Sequence, residues 1–122
     1  MIHWLLRRLS RLLLSGIFVV AGAEAFQNPG QRVARAADLG VPYPELATKA
    51  NAATMVLAGS ALALGVRARL AAATLAASLV PTTVAGHPYW KEDDPKARAM
   101  QRTQFLKNVG LLGGLLAVLA ES

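Results

Sequence analysis

The feature that most limits what this chain can fold into is a repeated apolar stretch about as long as a bilayer is thick. Four such stretches, at residues 9–26, 45–64, 70–86 and 104–120, each approach the ~20 residues a helix needs to cross a ~30 Å hydrocarbon core. In a chain of 122 residues they leave room for little else. None alternates apolar with polar residues as barrel strands do, and all are rich in Leu and Ala, so helices are expected. Backbone groups in lipid have to pair internally, which makes the expected fold class all-α. The expected architecture is a four-transmembrane-helix antiparallel bundle, one domain over residues 1–122.

The charges support this reading. Hydrophobic residues make up 54% of the chain and charged residues only 16%, which argues against disorder and against a soluble core. The net charge of +6 raises the question of nucleic acid, but the basic residues sit at the ends of apolar runs and not along one soluble face. They read as topology signals, and no nucleic-acid partner is expected. Arg7, Arg8, Arg11, Arg67 and Arg69 fall on the side of the termini with Glu121. Arg32, Arg35, Lys91, Lys96, Arg98 and Arg102 fall on the other side, mixed with Asp38, Glu45, Glu92, Asp93 and Asp94. The denser crowding of the first group places both termini in the cytoplasm of a plasma-membrane, multi-pass protein. A competing reading takes Arg7 to Ala25 as a signal peptide with a small-residue cleavage site.

The connections differ in character. Residues 65–69 are too short for anything but an antiparallel helix hairpin. After the Asn28-Pro29-Gly30 break, residues 31–38 fit about two helical turns with Arg32 and Arg35 on one side. Gly40, Pro42 and Pro44 then forbid regular helix until Glu45. This predicts a short interfacial helix in the first outer loop, followed by a stiff turn. Residues 87–102 form the one strongly hydrophilic segment, where Asp94 before Pro95 has the form of an N-cap with proline at the first helical position.

In order of features the chain resembles the DoxX family of small four-helix integral membrane proteins. The residues that carry the resemblance are the first helix around Leu12-Leu13-Leu14-Ser15-Gly16-Ile17-Phe18, the Asn-Pro-Gly break and the Gly40-Val41-Pro42-Tyr43-Pro44 turn. To these add the Gly- and Ala-rich helix ending at Gly65, His87-Pro88-Tyr89-Trp90, and the segment from Gln104 through Phe105-Leu106-Lys107-Asn108 to Gly113-Gly114. Glu24 departs from the pattern, standing where family members often have a lysine or a neutral residue. The resemblance implies an accessory or quinone-facing subunit of a membrane redox or oxidative-stress complex, since DoxX relatives are associated with a thiosulfate:quinone oxidoreductase subunit and with thiol or sulfur redox complexes. It implies other membrane or redox subunits as partners, beside the lipid bilayer. With no cysteine the chain performs no thiol chemistry and holds no iron–sulfur cluster, so any redox role is borrowed from a partner or cofactor. The alternative is a non-catalytic membrane scaffold or small-solute permeability protein.

Candidate chemistry follows from topology. Glu24, Lys49, His87 and Lys107 fall at one level on the side away from the termini, and charged groups within spans usually face a bundle interior or a cavity. They suggest a polar cavity in which Glu24 pairs with Lys107 or Lys49, while His87 shuttles protons or donates to a quinone-like carbonyl. Gln104, Lys107, Asn108 and Leu111 share one helix face, and Asn51 aligns with Thr48, Met55 and Gly59 on another. Tyr89 and Trp90 read as an aromatic belt or as a quinone contact. His3 and His87 lie on opposite sides of the membrane, which argues against a bis-histidine haem, and no spacing suggests a metal site. Gly110 and Gly114 on the last helix, with Ala58, Gly59 and Ala61 on the second span, are the expected close-packing faces. Pro81 predicts a kink whose freed carbonyl the neighbouring threonines help satisfy.

Overall fold

The structure is a computed structural model that describes residues 1–121. Five helices follow in order: α1 (Ile2–Gln27), α2 (Gln31–Asp38), α3 (Pro44–Leu64), α4 (Ala68–Gly86) and α5 (Pro95–Ala120). A 3-10 turn, Tyr89–Lys91, precedes α5, and the described residues contain no strand. α1 and α5 begin well before the apolar stretches they contain. Arg7, Arg8 and Arg11 are good helix formers, so they mark where the apolar surface ends without ending the helix.

Local signals account for the breaks. Gly30, Gly40 and Gly65 have φ of 51°, 80° and 75°, left-handed values that favour glycine, and they fall at the start of α2, after α2 and at the end of α3. Asp94 caps α5: its Oδ2 accepts from the Ala97 amide at 3.0 Å, with Pro95 at the helix start. α4 runs through Pro81 without interruption. The Thr82 hydroxyl donates to the Ser78 and Leu79 carbonyls and the Thr83 hydroxyl to the Leu79 carbonyl. These are not the Ala77 carbonyl that proline leaves without its amide. The threonines therefore pair their own hydroxyls in place of repairing the gap.

The four long helices pack antiparallel. α1 lies chiefly on α3, α3 on α4, and α4 on α5, while α1 and α5 touch least of the neighbouring pairs. The α1–α3 contact is made by two glycines in opposite directions. A Cβ on Gly22 would lie 2.9 Å from the Ala52 carbonyl oxygen, and one on Gly59 would lie 3.0 Å from Val19 Cγ2 and 3.3 Å from Phe18 Cβ. Gly59 is thus a packing residue, as its place among small residues suggests. Gly110 is not, since no described atom lies within 4 Å of its Cβ position, whereas a Cβ on Gly114 would lie 3.3 Å from Leu14 Cδ1.

The buried apolar set is small: Phe18, Leu62, Leu75, Leu79, Leu115, Val118 and five alanines. Large side chains lie outside, including Leu13 (79% exposed), Leu57 (72%) and Leu70 (59%). A contiguous apolar exterior of this kind suits lipid as the solvent. α1, α4 with its 3-10 extension, and α5 are long and apolar enough to cross a membrane. α3 carries Lys49 and Asn51 in its first half, which lowers its apolar character.

Gly22→Ala is expected to lower the thermal midpoint of the detergent-purified protein, at a cost of about 1–3 kcal/mol, because a backbone oxygen blocks the added methyl. Gly110→Ala is expected to leave the midpoint unchanged or raise it, since alanine is the better helix former. Equal losses at the two positions would contradict the α1–α3 contact described.

Candidate functional site: a five-helix cavity

A cavity of about 650 Å³ lies toward the end of the bundle opposite the termini and is lined from all five helices. Its apolar wall comes from Ile17, Phe18, Ala21 and Ala25 of α1, Met55 of α3, Leu79 of α4 and Leu111 of α5. α1 and α5 meet near the termini, through Arg11 with Glu121 and Leu14 with Gly114. Farther along, Ala21 and Ala25 line the same cavity as Lys107 and Leu111. α2 borders it with Gln31, Arg32, Arg35 and Ala36, and Arg35 Nη1 donates to the Gly86 carbonyl at 2.9 Å, which ties α2 to the end of α4.

Polar groups enter the apolar space in two places, both anchored to α4. The Ser78 hydroxyl donates to Asn51 Oδ1 at 2.5 Å, joining α4 to α3. Asn51 Nδ2 has only the Met55 sulfur, at 3.8 Å, so its amide protons stay available to another acceptor. Asn108 is buried, and its Nδ2 donates to Thr83 Oγ1 at 3.0 Å, joining α5 to α4. Nearer the mouth, Lys107 Nζ donates to Gln104 Oε1 at 2.7 Å, and His87 Nδ1 meets Gln101 Oε1 at 2.7 Å. With that oxygen as acceptor, Nδ1 carries the proton and Nε2 is left as the basic nitrogen. Among the described residues, the cations lining the cavity are Arg32, Arg35 and Lys107, and no carboxylate lines it.

Of the residues singled out in the sequence, Asn51, His87, Gln104, Lys107 and Asn108 all line this cavity. Glu24 and Lys49 do not. Glu24 is exposed on α1, and Lys49 pairs with Glu45 on its own helix at 3.6 Å. Neither lysine reaches Glu24 among the described residues. The reason is rotational: Gly22 and Ala25 face inward, and Glu24 stands about 200° from Gly22 around the helix. Tyr89 and Trp90 lie outside the cavity lining as well. They stack edge to face with each other and with Phe105, at centroid distances of 5.3, 5.4 and 5.8 Å, and so fasten the 3-10 turn to α5.

The structure adds Arg32 and Arg35 to the residues at the cavity, and Gln101 as the partner of His87. Gln101 was legible in principle, because it extends the Gln104–Asn108 face by one turn. The two arginines were placed on one side of α2 by their spacing, but nothing in the sequence showed that this side meets the bundle.

A bundle with an apolar exterior and a polar pocket open toward one end defines a helical membrane protein. The DoxX family model matches residues 6–88, and the chain belongs to the DoxX family. The match covers α1 to α4 and stops at Pro88, so Gln104, Lys107, Asn108 and Leu111 of α5 lie outside it. No curated protein and no solved structure matches the chain.

A double-mutant cycle on Asn108→Leu and Thr83→Val is expected to give a coupling of about 0.6 kcal/mol, with an upper bound of about 1.7. Unfolding in mixed detergent micelles measures it, and zero coupling would mean that the α4–α5 hydrogen bond does not form.

Proposed function

We propose that this DoxX family protein is a four-span plasma-membrane protein, with both termini in the cytoplasm and α2 at the outer interface, whose cavity receives the head of a quinone. In this reading it is an accessory, quinone-facing subunit of a membrane redox complex. The observation that carries the proposal is the lining: hydrogen-bond donors, with no carboxylate among the described residues, at one end of an otherwise apolar cavity of about 650 Å³. A quinone head offers carbonyl acceptors on an apolar ring and tail, and donors on an apolar wall are what such a molecule needs.

Each residue has a part in holding it. Asn51 Nδ2 and Lys107 Nζ donate to carbonyl oxygens, and the cations at the mouth favour negative charge there. Gln101 holds the His87 ring so that Nε2 accepts or returns a proton at the cavity edge. A bound quinone would supply two-electron, two-proton chemistry, and with no cysteine in this chain the electrons come from a partner subunit.

A second reading, the non-catalytic scaffold, is favoured by the bare face of α5. Nothing lies within 4 Å of the Cβ positions of Gly110 and Gly113, and Leu106, Val109 and Leu116 are exposed. Such a surface admits a helix of another subunit at close range.

Lipid extraction of protein purified in mild detergent tests the two. The first reading expects retained quinone, with Lys107→Leu retaining several-fold less while keeping its helix content. Equal retention by the variant would remove the cavity from the binding site. Absence of quinone together with a co-purifying larger subunit would favour the scaffold.

A further inference from the structure

The other end of the bundle carries a second cavity, of about 440 Å³, that shares no residue with the first. Arg7 and Arg11 line it from α1, Arg67 and Arg69 from the α3–α4 hairpin, and Glu121 from the end of α5. We propose that this cavity binds the phosphodiester head of an anionic membrane lipid.

Charge is the first argument. Among the described residues four guanidinium groups face one carboxylate, and that carboxylate is shared: Glu121 Oε2 lies 2.7 Å from Arg11 Nη2 and 3.4 Å from Arg7 Nε. Among the described residues neither Arg67 nor Arg69 forms an ion pair. Arg11 is the less exposed of the pair that meets Glu121, and its Nε is buried with no acceptor among the described residues. A buried guanidinium donor left unpaired is costly, and an anion in the cavity relieves that cost.

The backbone points to the same ligand. Ala68, Arg69 and Leu70, which line the cavity, are the first three residues of α4, and that helix start has no side-chain cap and no acidic residue in its first turn. Its free amides and the positive end of its dipole therefore turn toward the same space as the arginines. Planar guanidinium groups match phosphate oxygens two at a time, which a row of lysines would not do.

Location selects lipid over free phosphate. The cavity sits at the end of the long apolar helices, beside the exposed Leu70 and Val66 of the α3–α4 hairpin. An anion bound there has apolar surface beneath it to hold acyl chains, and basic clusters at helix ends are where lipid head groups gather. The site is independent of the quinone reading, because it lies at the opposite end of the bundle and uses none of its residues.

The test uses the full chain in mild non-ionic detergent, with native mass spectrometry to read retained lipid and a thermal midpoint to read stability. Phosphatidylglycerol should be retained and should raise the midpoint, and phosphatidylcholine should do neither. Inorganic phosphate at equal concentration should produce no comparable shift. The double variant Arg67→Asn/Arg69→Gln, in which asparagine tolerates the left-handed φ of 46° at position 67, should bind phosphatidylglycerol roughly 30-fold more weakly. Lys96→Gln/Arg102→Gln removes the same charge from the start of α5 and should bind as the parent does. Glu121→Gln should bind more tightly, a gain that misfolding cannot produce. Undiminished binding by the hairpin variant, no gain with Glu121→Gln, or stabilisation by inorganic phosphate equal to that by phosphatidylglycerol would each overturn the proposal.

Discussion

The fold depends on how closely α1 and α3 approach. Gly22 and Gly59 remove side chains from both sides of one seam, and the gap is so narrow that a single carbon at Gly22 would meet a backbone oxygen. In lipid there is no hydrophobic force between helices, so association rests on dispersion contact and on polar pairing. Dispersion falls steeply with distance, and glycine is what brings two backbones within range. With α1 held on α3 and kept apart from α5 over half its length, space remains between α1 and α5, and the larger cavity occupies it.

α4 supplies the other half of the constraint. Its interior face is built from Ala71, Ala72, Leu75, Ser78, Leu79 and Thr83, small enough for close contact and polar at two points. Ser78 and Thr83 bind Asn51 and Asn108, so one helix fixes the rotation of its two neighbours. These polar atoms would be expensive to leave unpaired in an apolar surrounding, and the pairing therefore works against other rotations of α3 and α5. The hydrogen bonds that register the helices also decide which amide protons face the cavity. Stability and site share the same residues.

The two ends of the bundle have opposite electrostatic arrangements within one topology. At the end away from the termini, cations border a space that is apolar inside, and the described acidic residues of that end lie outside its lining. At the other end, four arginines crowd on Glu121, the one described carboxylate there, and on an uncapped helix start. The short α3–α4 hairpin produces the second arrangement, because it sets Arg67 at the N-cap of α4 and Arg69 in its first turn, on the same cavity as Arg7 and Arg11 of α1.

Much of this was present in the residue order. Residues 9–26, 45–64, 70–86 and 104–120 lie within the four long helices, the hairpin at 65–69 and the break at 28–30 follow from length and glycine, and Asp94 before Pro95 marks the start of α5. Level along the bundle was also legible, because a helix rises 1.5 Å per residue and its ends were known. The relative facing of residues on one helix was equally fixed, which is why Gln104, Lys107, Asn108 and Leu111 arrive together at the cavity. What one sequence leaves open is the rotation of each helix about its own axis against the others. Glu24 and Lys49 were at the right height and faced elsewhere, and Tyr89 and Trp90 met Phe105 and not the cavity. Tertiary packing settled these, since rotation is set by which surfaces fit most closely, at Gly22 with Ala52 and Ser78 with Asn51, and close fit is a property of two helices together.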